Sequence, residues 1–376
     1  MRIGIEAQRL FRPHKHGMDI VSLELIRALQ IIDHDNEYYI FIKSDEDREC
    51  LKETRNFHII EIPGFNYVVW EQIMLPFYAK KYKLDILHCT SNTAPLILSI
   101  PLILTLHDVI FMEKLMGKNT ASNYQKYGNL YRKWIVPQIV KKCRSIITIS
   151  EVEKGNIVKT LELKDEAVTV VHNGVSRRFG IKPSPKIVEE IRVRLGLTEN
   201  YFLFLGNVEP RKNVKNTVTA FVDFSVQNPK VKLVITGLKE SFIEDILNEI
   251  NKKEFLNRFV LTGFVDDKTL LVLYSEAKVF LYPSFREGFG LPILEAMAFG
   301  IPVVTSNISA MPEVAGDAAF MVNPYSVEEI SEAMTIAYSN EMLRREKINL
   351  GYDRPNLFTW EQTATKVLTI YQANGK

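Results

Sequence analysis

The chain has 376 residues, with 47 Lys and Arg against 45 Asp and Glu, a formal net charge of +2 and 46% hydrophobic residues. That length exceeds one ordinary hydrophobic core and points to two domains, while the balanced charge excludes a general affinity for nucleic acid. Cys50, Cys89 and Cys143 are isolated and odd in number, which suggests neither a disulfide framework nor a zinc site.

The amino terminus, Met1-Arg2-Ile3-Gly4-Ile5-Glu6, reads as a first strand and lacks the apolar core of a signal peptide. The loop His16-Gly17-Met18-Asp19 follows, then a helix over Asp19–Gln30 with Ile20, Leu23 and Ile26 on one face. Strands are predicted at Tyr38–Ile42, His58–Ile62, Asp85–His88, Leu102–Leu106, Ser145–Ile149 and Val168–Val171. Ala94–Leu106 is the most apolar run, but it is short for a membrane span and is interrupted by Pro95 and Pro101. The cytosol is the expected compartment.

Between these strands, Lys114–Arg144 holds Lys114, Lys118, Lys126, Arg132, Lys133, Lys141, Lys142 and Arg144 and no acidic residue. Tyr124, Tyr127, Tyr131 and Trp134 recur there at helical spacing. A basic helix with amphipathic aromatics suits an anionic membrane surface or an acceptor bearing a lipid diphosphate. The same pattern also fits a core-facing aromatic stripe backed by a solvated charged face. Peripheral membrane contact through 114–144 is therefore one of two expectations for this segment.

A second series of strands is predicted at Tyr201–Leu205, Lys232–Thr236, Phe259–Leu261, Val279–Tyr282 and Val303–Thr305. Strands apolar on both faces, each followed by a helix, imply parallel sheets covered on both sides. Two such series predict two Rossmann-like domains with ligands at the carboxyl ends of the strands. The boundary falls in an interval containing Arg177, Arg178, Pro183, Pro185 and a charged helix, Ile187–Leu195. Trp360–Tyr371 reads as a terminal helix.

The most informative stretch is Arg286-Glu287-Gly288-Phe289-Gly290-Leu291-Pro292-Ile293-Leu294-Glu295-Ala296-Met297, which links a strand to a short apolar helix ending at Gly300. Its glycines let the backbone approach a ligand closely, and Pro292 suits a helix start. Unpaired amides and the helix dipole at that start favour an anion such as phosphate. Phe289, Gly290 and Leu291 are thus expected donor contacts, with Glu287 before the helix and Glu295 a turn inside it. Arg211 and Lys212, in Gly206-Asn207-Val208-Glu209-Pro210-Arg211-Lys212-Asn213, precede a helix capped by Asn213. Two cations at a helix amino terminus are electrostatically misplaced unless an anion sits there.

Glu287 and Glu295, with seven residues between them, resemble the E-x7-E element of family 4 retaining glycosyltransferases, in the context Pro-Ser-Phe-Arg-Glu-Gly-Phe-Gly-Leu-Pro from Pro283. The resemblance implies the GT-B fold, two Rossmann-like α/β domains facing across a cleft. Residues 1–176 would form the acceptor-side domain, with helix 357–376 packing back on it, and 177–356 the nucleotide-sugar domain. Glu287 would lie near the donor sugar, Glu295 would hold the ribose, and Arg211 with Lys212 would clamp the diphosphate. His107, at the end of a strand of the first domain, either faces the donor sugar or is a structural histidine. The loop at Gly17 would contact phosphate. It has one glycine where family members often have two adjacent, so packing around His16 would alter acceptor preference. The backbone around Val265 would flank the nucleobase, which leaves guanine and uracil undistinguished.

The implied activity is metal-independent, retaining transfer of a hexose, mannose from GDP-mannose as the first choice, to a glycan or lipid-linked oligosaccharide of a surface polysaccharide. No cofactor is expected, because the nucleoside-diphosphate sugar is a substrate. No Asp-x-Asp metal element stands out: Asp45-Glu46-Asp47 lies in a charged loop and Asp266-Asp267 caps a helix. A GT-B epimerase and a non-catalytic nucleotide-sugar scaffold are the alternatives. A nicotinamide enzyme is disfavoured, since no G-x-G-x-x-G follows Ile5.

Overall fold

The computed structural model describes residues 1–64, 66–112, 123–197 and 200–375, without the side chains of 123–125. The chain forms two compact units, Met1–Gly174 with Thr359–Lys376, and Val175–Phe358.

In the first unit the strands are β1 (Arg2–Glu6), β2 (Glu37–Ile42), β3 (Phe57–Glu61), β4 (Ile86–Cys89), β5 (Leu102–Thr105), β6 (Ser145–Thr148) and β7 (Val168–Val170). They form one sheet in the order β3-β2-β1-β4-β5-β6-β7, and every pair is parallel. Chain order reverses between β1 and β4, so their carboxyl ends flank a crevice where such sheets bind ligands. Ile3, Ile5, Ile86, Leu87, Ile103 and Leu104 are fully buried, as strands covered on both faces require.

The helix Trp360–Asn374 belongs to this unit. Thr359 accepts from the Gln362 amide at 3.2 Å, and Trp360, Ala364, Val367 and Tyr371 pack into the core beside the helix Gly17–Ile32. The Tyr371 hydroxyl lies 2.7 Å from Nδ1 of His88, whose Nε2 lies 2.7 Å from Thr105 Oγ1. Burial pushes the His88 pKa down to about 3, so this imidazole is a neutral link between helix and sheet. Gly174 makes the junction possible, because a Cβ there would lie 2.2 Å from the Trp360 nitrogen.

The second unit holds β8 (Tyr201–Leu205), β9 (Lys232–Thr236), β10 (Phe259–Gly263), β11 (Val279–Tyr282), β12 (Val303–Ser306) and β13 (Phe320–Val322). Its sheet order is β10-β9-β8-β11-β12-β13, again parallel throughout. Phe202, Phe204, Phe221, Phe224 and Phe259 form an aromatic core, each ring contributing roughly 1.5–3 kcal/mol by leaving water. The order reverses between β8 and β11, and the two motifs rich in charge and glycine follow those two strands.

Two elements differ from the sequence reading. β13 is only three residues long, too short for an alternation to register. Residues 67–81 form one helix whose middle, Trp70–Met74, is a π turn. Nothing in composition announces that wider turn.

Candidate active site

In the second unit, the loop after β8 tightens into a 3-10 turn over Pro210–Lys212, which precedes the helix Val214–Gln227. Gly206 packs closely at its start: a Cβ would sit 2.7 Å from Leu238 Cδ1 and 2.9 Å from Ile235 Cγ2, so those side chains would have to shift. Asn213 departs from the expected cap. Its backbone is left-handed (φ 57°), and its side-chain amide donates to the carbonyls of Pro283 at 2.8 Å and Pro324 at 2.7 Å. Asparagine tolerates that conformation, and its amide ties three loops together. The Phe285 amide donates to the Arg211 carbonyl at 2.8 Å, which fixes the loop after β11 against the turn carrying the cations.

Arg211, Lys212 and Glu287 meet in consequence. Arg211 Nη1 donates to Glu287 Oε2 at 2.6 Å, and Lys212 Nζ donates to Oε1 at 2.8 Å. Arg211 Nε also donates to Glu209 at 2.6 Å, and Lys212 Nζ reaches the Tyr282 hydroxyl at 3.1 Å. Ser309 clamps the Glu287 backbone, accepting from its amide at 3.1 Å and donating to its carbonyl at 2.8 Å. Burial alone would push the Glu287 carboxyl up, but Lys212 and Arg211 outweigh it and hold it below the ordinary glutamate range. For Arg211, burial opposes the charge, and Glu287 and Glu209 restore it, raising its pKa. A carboxylate with a side chain only 9% exposed tolerates burial because both its oxygens are charge-paired.

The anion that relieves the crowding of Arg211 and Lys212 is thus already present in the chain. They also stand in their own turn, not in the first turn of the following helix.

Gly290, at φ 116°, opens the helix Leu291–Ala298, with Pro292 in its first turn. Phe289 is buried edge-on against Phe358, ring centroids 5.6 Å apart, so its ring is engaged in packing. Leu291 is half-buried at the helix start. Glu295 is not part of the cation cluster. Its Oε2 accepts from the Tyr274 hydroxyl at 2.9 Å, and burial, partly offset by that bond, raises its pKa to about 7. Val265 is half-buried in the short loop after β10, followed by Asp266, which caps the next helix by accepting from the Thr269 amide at 2.8 Å.

Gly17 and His107 lie in the first unit. His107 follows β5 and is buried; its amide donates to Asn92 Oδ1 at 2.7 Å and its Nε2 lies 2.9 Å from the Thr90 carbonyl. A carbonyl only accepts, so Nε2 carries the hydrogen, and burial lowers the ring's pKa, which leaves Nδ1 with a lone pair. Gly17 begins the helix Gly17–Ile32 instead of lying in a loop, and a Cβ there would meet open space. His16 is exposed, so the tight packing expected around it is absent; its amide donates to Asp19 Oδ2 at 3.0 Å.

The basic segment divides. Lys114 and Lys118, and the side chain of Tyr124, lie outside the described residues. In the helix Asn123–Ile139, Tyr131 turns inward to bond Glu71, while Tyr127 and Trp134 are 73% and 57% exposed. The uniform core-facing stripe is therefore corrected: Ile135, Val136 and Ile139 make the buried face.

Sequence reasoning passed over two buried glutamates of the first unit. Glu6 ends β1, accepting from the Gln8 amide at 3.0 Å and the Thr90 amide at 3.3 Å; burial, then nearby Glu71, raises its pKa to about 7 against the Gln8 bond and Arg9. Glu71, in the π turn, accepts from Tyr67 and Gln72 at 2.8 Å each, and from Thr93 and Tyr131. Tyr282, Glu209 and Ser309 were also missed. Glu209 lies inside the Gly206–Asn213 stretch and Tyr282 directly precedes Pro283, whereas Ser309 reaches Glu287 from 22 positions away and no local pattern marks it. Among the described residues, no group of three His, Cys, Asp or Glu side chains is placed to hold a metal ion.

Residues 16–179 match the family described as Glycosyltransferase Family 4, and residues 188–354 match Glycosyl transferases group 1. O-antigen chain mannosyltransferase B of Escherichia coli is 30% identical over 230 residues, which span 60% of this chain and 60% of that protein. A glycosyltransferase of Rickettsia africae superposes with a TM-score of 0.75 at 16% identity, over 99% of this chain and 98% of that one. The Anabaena protein HepE, solved with UDP and glucose, gives a TM-score of 0.74 at 16% identity, over 99% of this chain and 100% of its own. Likeness at such identity speaks for the fold alone, the GT-B class of two Rossmann-like units.

Proposed function

The chain belongs to the family 4 glycosyltransferases, and on that premise we propose that it transfers a hexose from a nucleoside-diphosphate sugar to a glycan hydroxyl, with retention and without a metal. The observation that carries this reading is the convergence of Arg211, Lys212 and Glu287 beside the glycine-lined helix start of Gly290–Pro292. Mannose from GDP-mannose is the preferred donor, supported by the resemblance to a mannosyltransferase of O-antigen chains. The acceptor is a glycan or lipid-linked oligosaccharide of a surface polysaccharide, met in the cytoplasm at the inner face of a membrane.

The diphosphate takes the two cations and the amides of Phe289, Gly290 and Leu291. Glu295 accepts from the ribose hydroxyls, and the backbone at Val265 borders the base. A diphosphate drawing Arg211 and Lys212 towards itself loosens their hold on Glu287, whose carboxylate then orients the sugar. As the bond from C1 to the phosphate oxygen breaks, negative charge grows on the leaving diphosphate, and preorganised cations lower that barrier. The acceptor oxygen bonds C1 from the same face, and its proton passes to the departing phosphate. His107 is assigned a sugar hydroxyl through Nδ1, and Gly17 a phosphate contact through its amide.

Isothermal titration against a panel of nucleotide sugars, followed by product analysis with a chelator present, tests this. GDP-mannose consumption that depends on acceptor and yields an α-linked product is expected. Turnover without acceptor would favour an epimerase, binding without turnover a scaffold, and a UDP-sugar preference would replace the donor.

A further inference from the structure

Single apolar side chains in water are ordinary, but a contiguous set needs a reason. On the first unit, Val69, Ile73 and Phe77 are 45%, 61% and 60% exposed, Leu130 and Trp134 are 65% and 57%, and Ile97 is 82%. The first three lie on helix 67–81. Its π turn winds more loosely than an α-helix, which keeps positions four apart in one line. Leu130 and Trp134, four apart on Asn123–Ile139, share one face of that helix.

Gln72 brings these segments together. Its Nε2 donates to the Tyr131 hydroxyl at 2.8 Å and the Ala94 carbonyl at 3.0 Å, and its Oε1 accepts from the Leu96 amide at 2.9 Å. Ile73, Ile97 and Leu130 are chain neighbours of the three residues so joined, Gln72, Leu96 and Tyr131. Lys142 Nζ donates to the Leu96 carbonyl at 2.9 Å, which sets a cation at the rim.

The charge pattern is one-sided. Residues 66–83, 94–106 and 123–144 contain a single acid, Glu71, and it is fully buried. Lys80, Lys81, Lys126, Lys133 and Lys141 are exposed around the apolar side chains. Among the described residues no helix is long and apolar enough to cross a membrane, so contact of this face with lipid is interfacial.

We propose that this two-helix face of the first unit docks on the surface of an anionic lipid bilayer, its apolar side chains entering the headgroup layer and its lysines meeting lipid phosphates. The inference gives the acceptor half of the functional reading a physical location, and it rests on that reading only for the identity of what is met there. It also extends the contact beyond 114–144 to helix 67–81 and the loop at Ile97.

The chain supplies its own reporter. Of three tryptophans, Trp70 and Trp360 are 1% and 6% exposed, so Trp134 carries the environment-sensitive emission. Vesicles of equal parts phosphatidylcholine and phosphatidylglycerol should shift that emission to the blue and shield it from acrylamide. Vesicles of phosphatidylcholine alone should bind at least about tenfold more weakly, since each basic residue near an anionic surface adds roughly fivefold. Ile73→Asp with Phe77→Asp, on the other helix, should abolish the shift, while Ile31→Asp, at a 66% exposed site on Gly17–Ile32, should leave it. Unchanged nucleotide-sugar titration in the Asp variants shows that they are folded and separates a failed surface from a failed donor site. No shift with the anionic vesicles, equal binding to neutral ones, or a shift surviving in the double Asp variant each overturns the proposal. An acidic protein as the true occupant would give the first of these results.

Discussion

The carboxyl edges of the two sheets solve the same problem in opposite ways. In the second unit Glu287 is buried and both its oxygens are bonded to cations, Lys212 and Arg211, which hold it ionised. In the first unit Glu6 is equally buried but is met by the amides of Gln8 and Thr90, and its pKa rises to about 7. Its neighbour Glu71 takes hydroxyls and an amide: Tyr67, Thr93, Tyr131 and Gln72. Cationic partners make an edge that can exchange one anion for another. Hydroxyl and amide partners make an edge suited to polyhydroxylated, uncharged groups. The contrast is what the proposed function asks for, a diphosphate held by the cationic edge and an acceptor by the other.

The hardest test of that contrast is Glu287→Gln. Transfer should fall by about 100-fold, the order of loss expected when a group that holds the sugar in its reacting orientation is removed. Nucleoside-diphosphate affinity should hold or rise, because the cations lose a competitor. Retained turnover in steady-state assays would sink the role given to this carboxylate. Next in size is Lys212→Met, expected to weaken diphosphate binding by roughly 10- to 100-fold and to cost about 3 kcal/mol of stability by leaving Glu287 half-compensated. Calorimetry showing unchanged affinity would mean that the ammonium does not touch the donor.

Glu295 offers a subtler separation. With its pKa raised to about 7, only the ionised form accepts fully from ribose hydroxyls. Nucleotide affinity should therefore climb roughly tenfold as pH rises through the two units around that value, and Glu295→Gln should flatten the profile. A flat profile in the native enzyme would refute the ribose assignment. The smallest effect concerns stability. Glu6 has a folded pKa of about 7 against an ordinary 4.5, so its contribution is complete below the lower value and lost as pH rises through the higher. Glu6→Gln should remove that share of the decline, on the order of 1–3 kcal/mol between about pH 5 and pH 8, as read by denaturant unfolding. An unaltered pH slope would place the titration elsewhere, Glu295 being the alternative with the same sign.

Much of the architecture was legible because parallel strands buried on both faces leave unbroken apolar runs, as in Tyr201–Leu205 and Val279–Tyr282. The convergence of Arg211, Lys212 and Glu287 could be anticipated because their loops follow strands that the parallel order makes neighbours, β8 and β11. The residues that escaped have partners remote in sequence. Glu6 meets Thr90 across 84 positions, and Tyr131 meets Glu71 across 60, pairings no local pattern encodes. Asn213 was misjudged for a different reason: a cap reading assumes extended backbone, whereas its φ is positive and its amide looks away from the helix. The stripe in the basic segment failed because helical spacing says which side chains align, not which side of the helix the core occupies.

The close passage of Gly174 beside Trp360 has a consequence for biosynthesis. Residues 175–358 emerge from the ribosome between the two parts of the first unit, so the second can finish its core while the first still lacks the helix that buries Trp360, Val367 and Tyr371. Until about residue 374 has been translated, the groove awaiting that helix stays open, with His88 short of its phenolic partner. Nascent chains arrested before that point would present this groove to chaperones, and docking of the helix Trp360–Asn374 would close it.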